Sequence, residues 1–101
     1  MAGYRAIDYQ EFTQLRESAL VVDVRSRDQY EKEHIPGAVN IPLSELESRL
    51  DELPRDRPLI VYCGSSRCTA SLKAARLLAE KGFSNVLRYV GGLADWKAHN
   101  S

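Results

Sequence analysis

The chain has 101 residues, 44% hydrophobic and 28% charged, which fits one globular α/β-sized domain spanning residues 1–101. Fourteen Lys and Arg offset 14 Asp and Glu, which excludes a broadly basic nucleic-acid or anionic-membrane surface but not a local positive pocket. Met1–Gln10 has no apolar leader core, and the runs "ALVV" and "LIVYC" are far too short to cross a bilayer. The expectation is therefore a cytoplasmic monomer without membrane or nucleic-acid partners, whose two cysteines are reduced and chemical rather than a staple.

Tyr4–Ile7 reads as a short edge strand, followed by Asp8 as an N-cap with Glu11 as its capping-box partner. The helix that follows is expected to reach about Glu17 and to bury Phe12 and Leu15. "ALVVDV", Ala19–Val24, is a β-branched apolar run of the fully buried kind. A short charged helix starts near Ser26, and Pro36-Gly37 punctuates a turn beside Ala38 and Val39. Ser44 is the next N-cap candidate, with Glu47 three residues on and Leu43, Leu46, Leu50 and Leu53 at helical spacing.

"LIVYC" is the second buried strand, with Tyr62 inside the sheet. Thr69–Lys81 is the clearest helix, with Ala70, Ala74, Leu77 and Leu78 on one face and Gly82 as its stop. "NVLRYV" is a further strand, Gly91-Gly92 a turn, and "LADWKAH" a last short helix packed through Trp96. Strands alternating with helices imply a parallel sheet covered on both faces, with ligands bound beyond the carboxyl ends of the strands. Two loops meet that condition: one holds Arg25 and Ser26, the other begins with Cys63.

Cys63 stands where a buried strand ends and a helix is about to begin. The N–H groups of Gly64, Ser65, Ser66, Arg67 and Cys68 can turn inward there, and the helix dipole adds partial positive charge. Such a cradle favours thiolate, so the Cys63 pKa is expected below the free value of about 8.5. It equally favours a persulfide, whose outer sulfur is anionic. Ser65, Ser66 and Thr69 supply hydroxyl donors. A cysteine at a strand end also packs as a small hydrophobe, but the small polar residues after this one favour a reactive role. Two cysteines and two histidines, His34 and His99, have no metal-ligand spacing, so no metal is expected. A structural hydrogen bond is the expectation for His34, while Arg25, two residues after Asp23, either edges the pocket or makes an ion pair or loop-fixing hydrogen bonds.

Three ordered motifs, "LVVDVRSRDQYEKEHIPGAVNIP", "VYCGSSRCTAS" and "VLRYVGGLADW", resemble the signatures of single-domain rhodaneses over nearly the whole chain. The resemblance implies a three-layer α/β/α rhodanese-like fold with a five-stranded parallel sheet. It also implies a sulfurtransferase that needs no cofactor, in which Cys63 carries sulfane sulfur as a persulfide. The donor would be small, thiosulfate or another persulfide, and the acceptor a thiol or a protein.

One departure bears on the site. The family loop reads Cys-x-x-Gly-x-Arg-Ser/Thr, whereas this chain reads Cys63-Gly64-Ser65-Ser66-Arg67-Cys68-Thr69. Cys68 takes the arginine's place, and the arginine sits one residue earlier at Arg67. If Arg67 points outward, donor binding rests on backbone N–H groups, hydroxyls and Arg25, and thiosulfate use weakens. Cys68 is either a small scaffold residue or a resolving thiol, which leaves a redox switch or a regulatory sulfur-carrier or binding module using Cys63 and Cys68 as the alternative. A phosphatase or arsenate reductase of related fold has a loop one residue longer, with arginine where Thr69 stands.

Overall fold

A computed structural model describes residues 3–101, in which strand and helix alternate along the chain. β1 (Tyr4–Ile7) runs into α1 (Tyr9–Leu15) through the expected capping box: the Glu11 N–H donates to Asp8 Oδ1 at 2.9 Å. α1 stops at Leu15, short of Glu17, with Phe12 fully buried and Leu15 only half-buried. β2 (Leu20–Asp23) leads to α2 (Arg27–Lys32), whose N-cap is Ser26. β3 is only Val39–Asn40.

α3 (Leu43–Leu46) begins behind Pro42, not at Ser44, which lies inside the helix. The Pro42 ring and its carbonyl, which accepts from the Glu45 N–H, open the turn without a side-chain cap. A 3₁₀ segment, Glu47–Glu52, follows, and the predicted leucine stripe still faces the core, with Leu46 and Leu53 buried and Leu43 and Leu50 packed beside them. β4 (Leu59–Tyr62), α4 (Ala70–Glu80), β5 (Val86–Tyr89) and α5 (Gly92–His99) complete the chain.

The five strands form one parallel sheet in the order β1-β5-β4-β2-β3. Its two faces bury separate clusters, which makes three layers. Leu59, Val61 and Cys63 face α3 and α4 together with Val22, Leu46, Ala74 and Leu78. Ile60 and Tyr62 face the other way, toward Phe12, Ile35, Tyr89 and Leu93. All of β4 is buried, as a central parallel strand must be. Among the described residues no helix is long and apolar enough to cross a membrane.

The order places a topological switch between β2 and β4. The chain leaves β2 for β3 on one side and leaves β4 for β5 on the other, which opens a crevice at the carboxyl ends of the two central strands. A buried ion pair braces this end of the sheet. Asp23, with no exposed surface, accepts from the Arg25 backbone N–H at 2.9 Å and from Arg25 Nη2 at 2.8 Å. Arg25 Nη2 also donates to the Glu33 carbonyl, and Asn40 Nδ2 donates to the carbonyls of Asp23 and Arg25 at 3.0 Å each. These bonds hold β3, which is too short to be held by its ladder alone. Asp23→Ala strands a mostly buried guanidinium and should lower unfolding stability by about 3 kcal/mol in urea denaturation; a loss under about 1 kcal/mol would show that Arg25 escapes to water.

Candidate active site at the carboxyl end of β4

Cys63 continues the alternation of β4 and points toward α4, with 1% of its surface exposed. The N-terminus of α5 comes in behind it. The Leu93 N–H donates to the Cys63 carbonyl and the Ala94 N–H to the Gly64 carbonyl, both at 2.9 Å. First-turn N–H groups have no partner inside their own helix, so the loop serves as the cap of α5. The approach is so close that a Cβ on Gly92, which sits at φ +63°, would collide with the Cys63 carbonyl oxygen.

Beyond Gly64 the loop folds back on itself. The Cys68 N–H donates to the Ser65 carbonyl at 3.1 Å, and the Arg67 N–H to Ser65 Oγ at 3.3 Å. This turn sets two carbonyl oxygens against Cys63: Sγ lies 3.5 Å from the Cys68 oxygen and 4.0 Å from that of Ser65, while the Ser71 N–H faces it from α4. The Cys63 pKa is raised, against the expected fall. Burial pushes the thiol up, the neighbouring Cys68 thiol adds to this, and hydrogen bonding to Ser71 opposes it only in part. The N–H cradle exists, but around the other sulfur. The N–H groups of Gly64 and Ala70 face Cys68, and its pKa is lowered: burial, which acts upward, is outweighed by the Cys63 thiol, these N–H groups and the charge of Arg88. Cys68 is half-buried against the α4 cluster, the place expected of a small scaffold residue, yet its thiol is also close enough to Cys63 to shift it.

Two residues that the sequence analysis passed over complete the site. Ser71 is 1% exposed, and its Oγ is 3.3 Å from Cys63 Sγ. Arg88 Nε donates to the same oxygen at 3.0 Å. With Arg88 on one lone pair, the Ser71 hydroxyl has its hydrogen free for an anionic sulfur on Cys63. Arg88 has no carboxylate within salt-bridge range among the described residues. Both residues carried a signal: Ser71 lies on the same buried face as Ala74, Ala75 and Leu78, and Arg88 takes an inward position in an otherwise apolar strand.

The other expected residues are less engaged. Ser66, Arg67 and Thr69 are exposed, and no side-chain hydrogen bond or ion pair holds the Arg67 guanidinium among the described residues. The Arg25 guanidinium is taken up by Asp23 and Glu33, and only its aliphatic stem lies near Gly64. His34 has the structural place expected of it, with Nδ1 2.8 Å from the Tyr30 carbonyl and its ring stacked on Tyr30. A cavity of about 620 Å³ lies elsewhere, at the carboxyl ends of β1 and β5 beside Tyr9, Tyr89 and Asp95.

Two measurements check this geometry. Gly92→Ala should cost about 3 kcal/mol of stability and loosen the loop, seen as faster alkylation of Cys63; unchanged stability would mean that α5 stands off from Cys63. Brief iodoacetamide treatment at neutral pH, followed by peptide mapping, should label Cys68 before Cys63, and the Cys68 label should persist to lower pH than an ordinary thiol's. Prior labelling of Cys63 would show that the folded-back loop is not the resting state.

The family model for the rhodanese-like domain matches residues 8–99. Over 80 residues the chain is 44% identical to Bacillus subtilis YrkF, and over 94 residues 39% identical to the Mycobacterium tuberculosis HTH-type transcriptional regulator Rv0324. These matches cover 79% and 91% of this chain but only 42% and 41% of those longer proteins. It is 32% identical over 99 residues to the Coxiella burnetii thiosulfate sulfurtransferase GlpE, covering 96% of this chain and 91% of that one. The human single-domain sulfurtransferase TSTD1 superposes with a TM-score of 0.87 at 28% identity, covering 95% and 97% of the two chains. With the parallel sheet, the cysteine loop at its switch point and a family match over almost its whole length, the chain belongs to the rhodanese-like sulfurtransferase family.

Proposed function

We propose that this chain transfers sulfane sulfur from a small donor, thiosulfate or a persulfide, to a thiol or protein acceptor through a persulfide on Cys63. The observation that carries this reading is the series Cys63–Ser71–Arg88, which sets a hydroxyl donor and a positive charge behind the sulfur that must bear the anion. In the first half-reaction Cys63 sulfur attacks the outer sulfur of thiosulfate, the S–S bond of the donor breaks, and sulfite leaves with the electron pair. The proton that Cys63 loses has an acceptor at hand in the Cys68 sulfur. In the second half-reaction the acceptor thiolate attacks the outer sulfur and Cys63 leaves as thiolate. The donor reaches Cys63 only when the loop 64–69 opens, because the sulfur is closed off at rest.

Binding of the thiosulfate sulfonate would fall to Gly64, Ser65, Ser66, Arg67, Cys68 and Thr69 at the loop. The Arg25 guanidinium, held by Asp23 and the Glu33 carbonyl, would act through the field of its charge and not by direct contact. With no loop arginine in the usual place, thiosulfate would be a poor donor and a small persulfide a better one. We read the chain as a cytoplasmic monomer, and its balanced charge speaks against a broad nucleic-acid or anionic-membrane surface.

Thiocyanate formation from thiosulfate and cyanide tests the reading. Cys63→Ser should abolish turnover, and Cys68→Arg, which restores the usual arginine, should lower KM for thiosulfate by about tenfold, the worth of one charge-assisted hydrogen bond. Turnover that survives Cys63→Ser would remove Cys63 from the reaction.

A further inference from the structure

The loop holds two thiols that act on one another, and the sulfur-transfer cycle above consumes only one of them. Cys68 stands where the usual loop carries arginine. The turn from Ser65 to Cys68 brings it back over Cys63, so that Cys63 Sγ lies 3.5 Å from the Cys68 carbonyl oxygen. Both residues pack into the same cluster under α4, Cys63 buried within it and Cys68 half-buried at its rim. Neither is in a disulfide, so the pair is in its reduced form. Closing a disulfide needs Cα atoms within about 7 Å, which suits two residues on opposite arms of one tight turn.

We propose that Cys68 is a second catalytic residue, which attacks the Cys63 persulfide, releases hydrogensulfide and leaves a Cys63–Cys68 disulfide. This rests on the persulfide reading above and adds to it a reductive, sulfide-releasing branch that needs no external sulfur acceptor. The new bond joins Cys68 Sγ to Cys63 Sγ, and the bond from Cys63 Sγ to the outer sulfur breaks. The electron pair of that bond leaves with the outer sulfur, and the Cys68 proton, taken earlier from Cys63, leaves with it as HS⁻. The sulfane sulfur gains two electrons and the two cysteines lose them. Two molecules of a small thiol then reduce the disulfide and leave as their own disulfide. Summed with thiosulfate as donor, one thiosulfate and two thiols give sulfite, hydrogensulfide, one thiol disulfide and a proton.

Each part of the site has a task in this step. Arg88 stands near Cys68 and, through Ser71, behind Cys63, so that it stabilises negative charge on either sulfur. The N–H groups of Gly64 and Ala70 stabilise the negative charge that builds on Cys68 as it gives up its proton and attacks. The carbonyls of Ser65 and Cys68 against Cys63 disfavour a resting anion there, which favours expulsion of the outer sulfur over its storage.

The test is a single turnover of the reduced protein with thiosulfate, and in parallel with a small inorganic polysulfide, without cyanide or added thiol, reading sulfite, sulfide and intact mass. Wild type should release one equivalent of sulfide and end two hydrogens lighter, and a monothiol such as glutathione should restore the mass and permit further turnovers. Cys68→Ser and Cys68→Ala should instead hold one added sulfur atom on Cys63 and lose sulfide release. A wild type that keeps the added sulfur and releases no sulfide would overturn the proposal while leaving the Cys63 persulfide standing. Sulfur found on Cys68 in wild type would also overturn it, in favour of a relay to Cys68. No sulfur uptake from either donor in wild type or the Cys68 variants would overturn the persulfide reading and this inference together.

Discussion

The N–H groups of Leu93 and Ala94 hold the first two carbonyls of the cysteine loop, and much of the site follows from that pair of bonds. They tie the end of the central strand to the start of the last helix, two segments that the sheet order leaves side by side but on different crossovers. They draw the Cys63 and Gly64 carbonyls toward α5, which commits the plane of each peptide and hence the direction of the N–H groups that follow. They also force a bare α-carbon at Gly92, because any side chain there would lie on the Cys63 carbonyl. The reactive loop is thus set by backbone alone, and its side chains are left free to vary in chemistry.

The electrostatics of the site come from placement and not from net charge, which is zero. Arg25 is spent on the frame, neutralising a buried aspartate and drawing the Glu33 carbonyl to the end of β2. Arg67 stands in solvent, where a charge acts weakly across a high dielectric. Arg88 reaches the sulfurs from β5: its charge acts on Cys68, and its Nε holds the Ser71 hydroxyl beside Cys63. With cysteine in the usual arginine position and Arg67 in solvent, β5 supplies a positive charge to the sulfurs. The change alters the chemistry that suits the site. A charge on the rim draws in an anionic donor, whereas a charge beneath the sulfurs stabilises what forms on them.

Much of this fold could be read from the chain because its signals are local. The capping box at Asp8 and Glu11, the buried runs at 19–24 and 59–63 and the apolar face of α4 each declare themselves within one or two turns of sequence. β3 did not, since two residues are too few to show a period. Ser44 misled because a cap pattern repeated inside a helix that Pro42 had already opened. At the site, Cys63 and its loop were legible from position and composition. Which sulfur the N–H groups face was not. A peptide offers a donor and an acceptor on opposite sides, and sequence cannot say which side a turn presents. Arg88 and Ser71 were missed for a different reason: they reach Cys63 from other elements, and only the polar residue on an apolar face marks them.

Both borders of the sheet are held short. β3 offers two residues, with Val39 part-exposed, and β1 offers four, with the Arg5–Glu11 ion pair beside it. A strand from another molecule finds little to pair with at either border, and a charge waiting at one of them. Such a sheet can sit in a crowded or multidomain chain without templating aggregation. That tolerance suits a unit whose likenesses include stretches covering about two-fifths of longer proteins.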